Sequence, residues 1–365
     1  MMEGNSSFLF NSTSTYLNIS ISSAYPNAYK NQEDITTQMQ RKSVIFATLY
    51  MLGFLLGITG NGLVIFVIGF RMPKTVVTIW YLNLAVADFA FTLFLLVEVA
   101  YSALGFHWAL GLVLCKMYGA ISYLNLYASV FFLTLISADR CVSVCLPTWA
   151  LRHRRPHQAS LVSLVMWLVA VALSIPSLVF RDIKTVLNSG REIISCYENY
   201  ILVNGPSPEE EDRLWICRQQ AMVLTSFVVG FLVPFILILS FYGVLAAAMK
   251  RSHLTRSSRP FKIMVAVVVT FFISWFPLHI ARLLALAGHY EKPGVQHFFD
   301  VAVPLAYLSS CLNPLLYAFM GGGCRDMLQH SILATFHAAF EEDSGQNSPS
   351  QTGDSGIHLE QASRI

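Results

Sequence analysis

A chain of 365 residues that is 55% hydrophobic, 13% aromatic and only 12% charged has too little polar surface to clothe a water-soluble globule of its size. A formal net charge of +3 excludes a bulk electrostatic attraction to nucleic acid, and no nucleic-acid partner is expected. The apolar residues lie in long unbroken runs, which points to membrane-spanning helices and away from the strands of a barrel.

Residues 1–42 precede the first run and are mostly polar. Three sequons, at Asn5, Asn11 and Asn18, serve as glycosylation acceptors only on the lumenal side, so the segment reads as a flexible extracellular arm. Its early apolar patch, Phe8-Leu9-Phe10, is too short for a signal peptide, and the first run is expected to act as its own insertion signal.

Seven runs follow, at 43–70, 77–103, 113–145, 159–180, 216–248, 261–288 and 297–320. Each supplies the roughly 20 residues that a helix needs to cross about 30 Å of hydrocarbon, and the expected fold is an all-α seven-helix bundle over residues 43–330. The loops after helices 1, 3 and 5 carry Arg71, Lys74, Arg152, Arg154, Arg155, Lys250, Arg251, Arg256, Arg259 and Lys262 without an acid, so by the positive-inside rule they face the cytoplasm. The loop between helices 4 and 5 holds Glu209, Glu210, Glu211 and Asp212 instead. The N-terminus is therefore expected outside, although Arg41 and Lys42 pull weakly the other way.

Cysteines and polar residues inside the runs carry the next signals. Cys115 and Cys196 both fall on the oxidising face, where a disulfide would pin the outer loop over the bundle, with Cys217 as the alternative partner for Cys115. Asp88 stands mid-membrane, at the depth of Asn61, Asn125, Ser129, Ser310 and Asn313. Such a ring of oxygens suits a small hard cation such as sodium, or a structural hydrogen-bond network. No other cofactor is expected. Pro234, Pro277 and Pro314 interrupt helices 5, 6 and 7, and kinked helices around a polar interior can have two packings of similar energy, although prolines are also common in membrane helices.

These residues together resemble a rhodopsin-class G-protein-coupled receptor. The motifs are "GNGLV" with Asn61, "LNLAVADF" with Asp88, Cys115, "ADRCVSV" with Asp139 and Arg140, Trp167, Pro234 with Tyr242, "FFISWFP" with Trp275 and Pro277, and "SCLNPLLY" with Asn313, Pro314 and Tyr317. The resemblance implies that Asp139 holds Arg140 at rest and that its release, with Tyr242 and Tyr317 rearranging, opens a cytoplasmic cleft for a G protein. Finer wording, including "FRMPKTVVTIWYLNLAVADF", "HWALG", "SIPSLVFRD" and "SSRPFKIMV", is similar to the chemoattractant peptide receptors of the chemerin and formyl-peptide types. That implies an extracellular peptide or protein ligand and inhibitory G proteins.

Departures narrow the ligand. Formyl-peptide receptors carry an Asp where this chain has Tyr123, and arginines where it has Met222 and Ser226; a substitute cation must come from Arg218 or Arg282. Helical depth directs Glu98, Tyr123, His279, Arg282 and Tyr307 towards one outer cavity, where the carboxylate and guanidinium would clamp a peptide end or a zwitterion. After helix 7 the resemblance implies a short amphipathic helix along the membrane surface, near Cys324. The tail over 331–365 is polar and disordered in character, and phosphates on Ser344, Ser348, Ser350, Thr352 and Ser355 would present charge to arrestin after receptor kinases act.

Rival classes lack their residues. Residues 293–320 contain no Lys for a retinal Schiff base, and helix 3 has no acid near Ser122 or Tyr123 for an amine. No internal repeat suggests a transporter, and no nucleophile with a base suggests an enzyme. A lipid-mediator receptor and a scavenging receptor that binds without signalling stay open beside the peptide reading.

Overall fold

The computed structural model describes residues 27–188, 191–201, 207–251 and 259–320. The sequons at Asn5, Asn11 and Asn18, the phosphorylation candidates Ser344, Ser348, Ser350, Thr352 and Ser355, Cys324 and the expected amphipathic helix all lie outside those residues.

Seven long helices form among the described residues. Helix 1 runs over Asn27–Phe66 and ends in a π turn, Val67–Arg71. Helix 2 spans Val76–Ala103, helix 3 Gly111–Cys145 and helix 4 Pro156–Phe180. Helix 5 is built from Pro208–Phe227, a π turn Val228–Leu232 and Val233–Arg251. Helix 6 covers Arg259–Leu284 with a π turn Ala285–His289, and helix 7 covers Pro293–Met320. The first six are long and apolar enough to cross a membrane, and helix 7, at 28 residues, matches them in length.

Local chemistry sets the boundaries. Thr75 and Thr78 cap helix 2 reciprocally, each side chain accepting from the other's backbone N–H at 3.2 and 2.7 Å, and Ser207 accepts from the Glu210 N–H at the head of helix 5, so orphan donors of the first turn are satisfied. Pro156 and Pro208 open helices 4 and 5 at the first turn, where a missing N–H is harmless. The π turn in helix 5 directly precedes Pro234, which removes one backbone donor and crowds the preceding turn. Gly288 ends helix 6 with a positive φ of 80° that a side chain would resist.

Three differences from the sequence reading have physical reasons. Helix 1 begins at Asn27 rather than near 43, so the arm of residues 1–42 is not wholly without structure; its Lys, Gln, Glu, Met and Arg residues are good helix formers that hydropathy ignores. A short helix, Pro147–His153, occupies the loop after helix 3. The loop between helices 4 and 5 folds into a hairpin of β1, Arg181–Asn188, and antiparallel β2, Arg191–Glu198.

Helix 3 is the axis of the bundle, packed against helices 2, 4 and 5 and against β1, while helix 1 packs between helices 2 and 7, and helix 6 against helix 7. Helices 2 and 4 are joined where Trp167 Nε1 donates to Asn83 Oδ1 at 2.9 Å. Helix 1 approaches its neighbours through Gly57, where an added Cβ would lie 2.3 Å from the Thr92 methyl of helix 2 and 3.3 Å from Cys311 Cβ of helix 7. Gly57→Ala is therefore expected to destabilise the purified protein by about 1–3 kcal/mol, the usual cost of overpacking. Gly243→Ala, whose Cβ would meet nothing within 4 Å, is the matched control, and thermal melting of both variants should show a loss only in the first.

Candidate functional site

At the end of the bundle where helix 3 begins, the hairpin is tied down from several sides. Cys115 of helix 3 is bonded to Cys196 of β2, and Cys217 is a free, exposed thiol. The Trp108 N–H donates to the Ile194 carbonyl at 2.8 Å. Tyr200, just past β2 and 1% exposed, packs on Phe180 and Trp215 with centroids 5.3 and 6.0 Å away. Arg218 donates to the Tyr200 carbonyl at 2.7 Å; it fastens the loop and does not supply the missing pocket cation.

This seating carries a carboxylate over the mouth. Alternation along β2 gives Glu198 the same face as Cys196, and the register sets it opposite Arg181. Arg181 Nη2 lies 3.6 Å from Glu198 Oε1, and Tyr200 donates to Glu198 Oε2 at 2.5 Å. Burial alone would raise the Glu198 carboxyl, but Arg181 first, and then Arg282, hold it below the ordinary glutamate range. Gly119 of helix 3 makes room for this pair, since a Cβ there would stand 2.7 Å from Arg181 Cγ.

Below the hairpin the expected ligand residues divide into two groups. Arg282 donates to the Tyr123 hydroxyl at 3.3 Å and stacks over the same ring at 5.2 Å. Glu98 and Arg282 do not pair; Glu98 accepts instead from the Tyr118 hydroxyl of helix 3, and Tyr307 packs edge-on against Tyr118 and Phe91. His279 lies apart from both, 1% exposed, between Phe227, Phe231 and Trp275, with no partner for Nε2. Met222 and Ser226 are buried.

Deeper still, buried polar residues pair across the helices. Trp275 Nε1 donates to the Ser309 hydroxyl at 3.2 Å, beside Pro277 in helix 6. Asn313 Nδ2 donates to Asp88 Oδ2 at 2.7 Å, one residue before Pro314, and Ser129 donates to Asp88 Oδ1 at 3.3 Å. Asn125 Nδ2 reaches the Ser310 hydroxyl at 2.8 Å, and Asn61 Nδ2 the Ser310 carbonyl at 3.0 Å. Asp88, Asn313, Ser129, Asn125, Ser310 and Asn61 are all at least 94% buried, and Asn61 Oδ1 has no partner. A carboxylate, two hydroxyls and amide oxygens within one buried cluster fit a hard monovalent cation, which prefers oxygen ligands.

At the opposite end of helix 3 the expected pairing is corrected. Arg154, just after the short loop helix, clasps Asp139 with both nitrogens, Nε to Oδ1 at 2.8 Å and Nη2 to Oδ2 at 2.7 Å. Arg140 is not that partner. Adjacent residues on a helix point about 100° apart and do not face each other, so the Asp139 carboxylate meets a residue of the following loop. Arg140 instead lies within electrostatic reach of Tyr81 and Tyr242. The Tyr317 side chain is outside the described residues.

A seven-helix bundle, a disulfide from helix 3 to the outer hairpin, Asp88 joined to Asn313 and an Asp-Arg pair at the end of helix 3 occur here in one chain. The family described as "7 transmembrane receptor (rhodopsin family)" matches residues 60–317. This chain belongs to that rhodopsin family of receptors. Among its relatives, Chemerin-like receptor 1 of Sus scrofa is 38% identical over 343 residues, covering 89% of this chain and 92% of the relative. The human protein of that name is 38% identical over 326 residues, covering 87% and 85%. Formyl peptide receptor 2 of Mus musculus is 40% identical over 314 residues, covering 82% and 86%. The chain is thus a multi-pass membrane receptor of the G-protein-coupled class, in the branch of the chemerin-like and formyl peptide receptors, and that class is not enzymatic.

Sequence reasoning missed Arg181, Glu198 and Tyr200 in this receptor. The spacing of Glu198, two residues past Cys196, was the available signal once a strand was assumed. It also missed Arg154, whose role as a clasp carries a consequence. Removing a partly buried ion pair worth about 1 kcal/mol shifts a two-state equilibrium by a factor of roughly 5. Arg154→Ala is expected to raise ligand-independent nucleotide exchange on a G protein by about that factor, with Arg155→Ala, its sequence neighbour, as the control in the same assay.

Proposed function

We propose that this receptor takes an extracellular chemoattractant-type peptide or protein ligand, chemerin-like in kind, and signals mainly through inhibitory G proteins. The N-terminus and hairpin face outside and the Asp139 end faces the cytoplasm, on the strength of the basic loops after helices 1, 3 and 5. The observation that carries the ligand reading is the mouth itself, where Glu98 and Arg282 of the helices and Glu198 and Arg181 of the hairpin bring both signs of charge among tyrosines. A peptide brings both charges and can exchange with Glu198 on the guanidinium side. A fatty acid brings one, and meets guanidinium groups that Glu198 already counters, which disfavours the lipid-mediator reading. Scavenging without signalling is disfavoured by the retained Asp139, Arg140, Tyr242 and Tyr317.

His279 and Trp275 form the floor through which ligand contact reaches helix 6 at Pro277, and Asn313 and Pro314 carry it to helix 7. Asp88, Asn125, Ser129, Ser310 and Asn313 would hold a sodium ion in the resting state, where it supplies a counter-charge to the buried carboxylate. Glycans on Asn5, Asn11 and Asn18, arrestin and receptor kinases acting on the tail, and surrounding membrane lipids complete the proposed partners.

Inhibitory G-protein activation in cells expressing the chain tests this reading, with a chemerin C-terminal peptide, a formyl peptide and a fatty-acid mediator applied side by side. The chemerin peptide is expected to signal, with at least a tenfold loss of potency in Arg282→Ala, since truncating one partner of a buried hydrogen-bonded charge pair costs about 2–5 kcal/mol. A response to the fatty acid alone, or no response to any of the three at normal surface expression, would overturn it.

A further inference from the structure

The four ionisable groups of the mouth are not equally provided for. Arg181 has Glu198 at 3.6 Å, and Arg282 has the Tyr123 hydroxyl and ring. Asp88, below them, has an amide and a hydroxyl. Among the described residues, no Lys, Arg or His lies within ion-pairing distance of Glu98, whose hydrogen-bond donor is the neutral hydroxyl of Tyr118. Arg181 is the one cation in its wider electrostatic field, and its near carboxylate is Glu198.

The surroundings of Glu98 are aromatic and drawn from four places in the fold. Tyr50 of helix 1, Tyr101 of helix 2, Tyr118 of helix 3 and Tyr307 of helix 7 all lie within electrostatic reach of its carboxylate. The rings support one another, with Tyr307 set 6.4 Å from Tyr50 and 6.3 Å from Tyr118, and Trp108 set 5.9 Å from Tyr101 and 6.1 Å from Tyr118. Tyr50, Trp108, Tyr118 and Tyr307 are at least 93% buried, whereas Glu98 keeps partial exposure. The rings are therefore fixed by packing around the carboxylate side chain.

A carboxylate on an aromatic wall is the recognition chemistry of a cation, because the ring faces carry negative potential and the carboxylate completes the charge. We infer that Glu98, with Tyr118, Tyr307, Tyr50 and Trp108, forms a subsite for an ammonium or guanidinium group of the ligand, distinct from the guanidinium side that Glu198 counters. This rests on the peptide-receptor reading and sharpens it: of two peptides alike in other respects, the receptor selects the one that places a basic group at Glu98. The amine terminus or a Lys or Arg side chain of a peptide supplies that group; a fatty acid cannot.

The test uses full-length receptor in lipid nanodiscs and a pair of probes, N-acetyl-Arg-Phe-amide and its citrulline counterpart, which differ in one positive charge and carry no carboxylate. Affinity is read from the rise in melting midpoint with probe concentration. The arginine probe is expected to bind at least tenfold more tightly than the citrulline probe, in line with a desolvated cation–π contact joined to a charge-assisted hydrogen bond. Glu98→Gln should erase that preference and Glu198→Gln should preserve it. Equal affinity for the two probes, binding of neither up to millimolar concentration, or a preference lost in Glu198→Gln but kept in Glu98→Gln would each overturn the assignment. The comparison of the two probes on the unaltered receptor stands even if Glu98→Gln fails to fold. A clear charge preference in a receptor that no peptide activates would keep the subsite and remove the signalling reading.

Discussion

An ionised group inside a hydrocarbon slab has no water to turn to, and the interior of this receptor is organised around that constraint. Asp88 is met by Asn313 and Ser129, Asp139 by Arg154, and Arg181 by Glu198. Satisfying these charges also fixes how helices 2, 3 and 7 and the loop after helix 3 sit together, and joins the two strands of the hairpin. The bundle depends on this because apolar packing distinguishes poorly between one helix face and another when the surrounding lipid is equally apolar.

The same constraint gives the two ends of helix 3 different characters. At the hairpin end, charges of both signs remain near the surface and partly exposed, as a site that exchanges internal partners for a ligand's groups requires. At the other end, a bidentate clasp leaves one arginine, Arg140, outside the pair and beside tyrosines. Between them, Trp275 with Ser309, Asn125 with Ser310, and Asn313 with Asp88 are buried polar pairs among otherwise apolar helices. A small set of interior hydrogen bonds with alternative partners is the kind of element that can hold two arrangements of similar energy.

Much of this was legible in the residues. Apolar runs marked seven helices because hydrocarbon thickness leaves little choice of length or conformation, and the depth of Asp88, Asn125, Ser129, Ser310 and Asn313 in their helices predicted their meeting. Hydropathy was silent on the polar start of helix 1, since it reports where a helix can be solvated by lipid and not where one forms. The Asp139 partner was misread because neighbours in sequence diverge around a helix. Glu198 and Arg181 were invisible for another reason: their pairing is set by strand register within a loop, and register depends on the disulfide and on contacts with Trp108 and Tyr200 that no local pattern encodes. Depth directed Glu98 and Arg282 to the outer end of the bundle, but which charges would be countered from within could not be read from depth alone.

If internal matching of charge stabilises the hairpin that covers the mouth, Arg181 and Glu198 must be energetically coupled across its two strands. A double-mutant cycle on the thermal stability of the receptor, with Arg181→Gln, Glu198→Gln and the double variant, measures that coupling. An interaction energy of about 0.5–3 kcal/mol, so that the double variant loses less than the two single losses combined, is the expected result. Strictly additive losses would contradict it, and would leave the disulfide, the aromatic packing and neutral hydrogen bonds such as that from Trp108 to Ile194 to hold the hairpin.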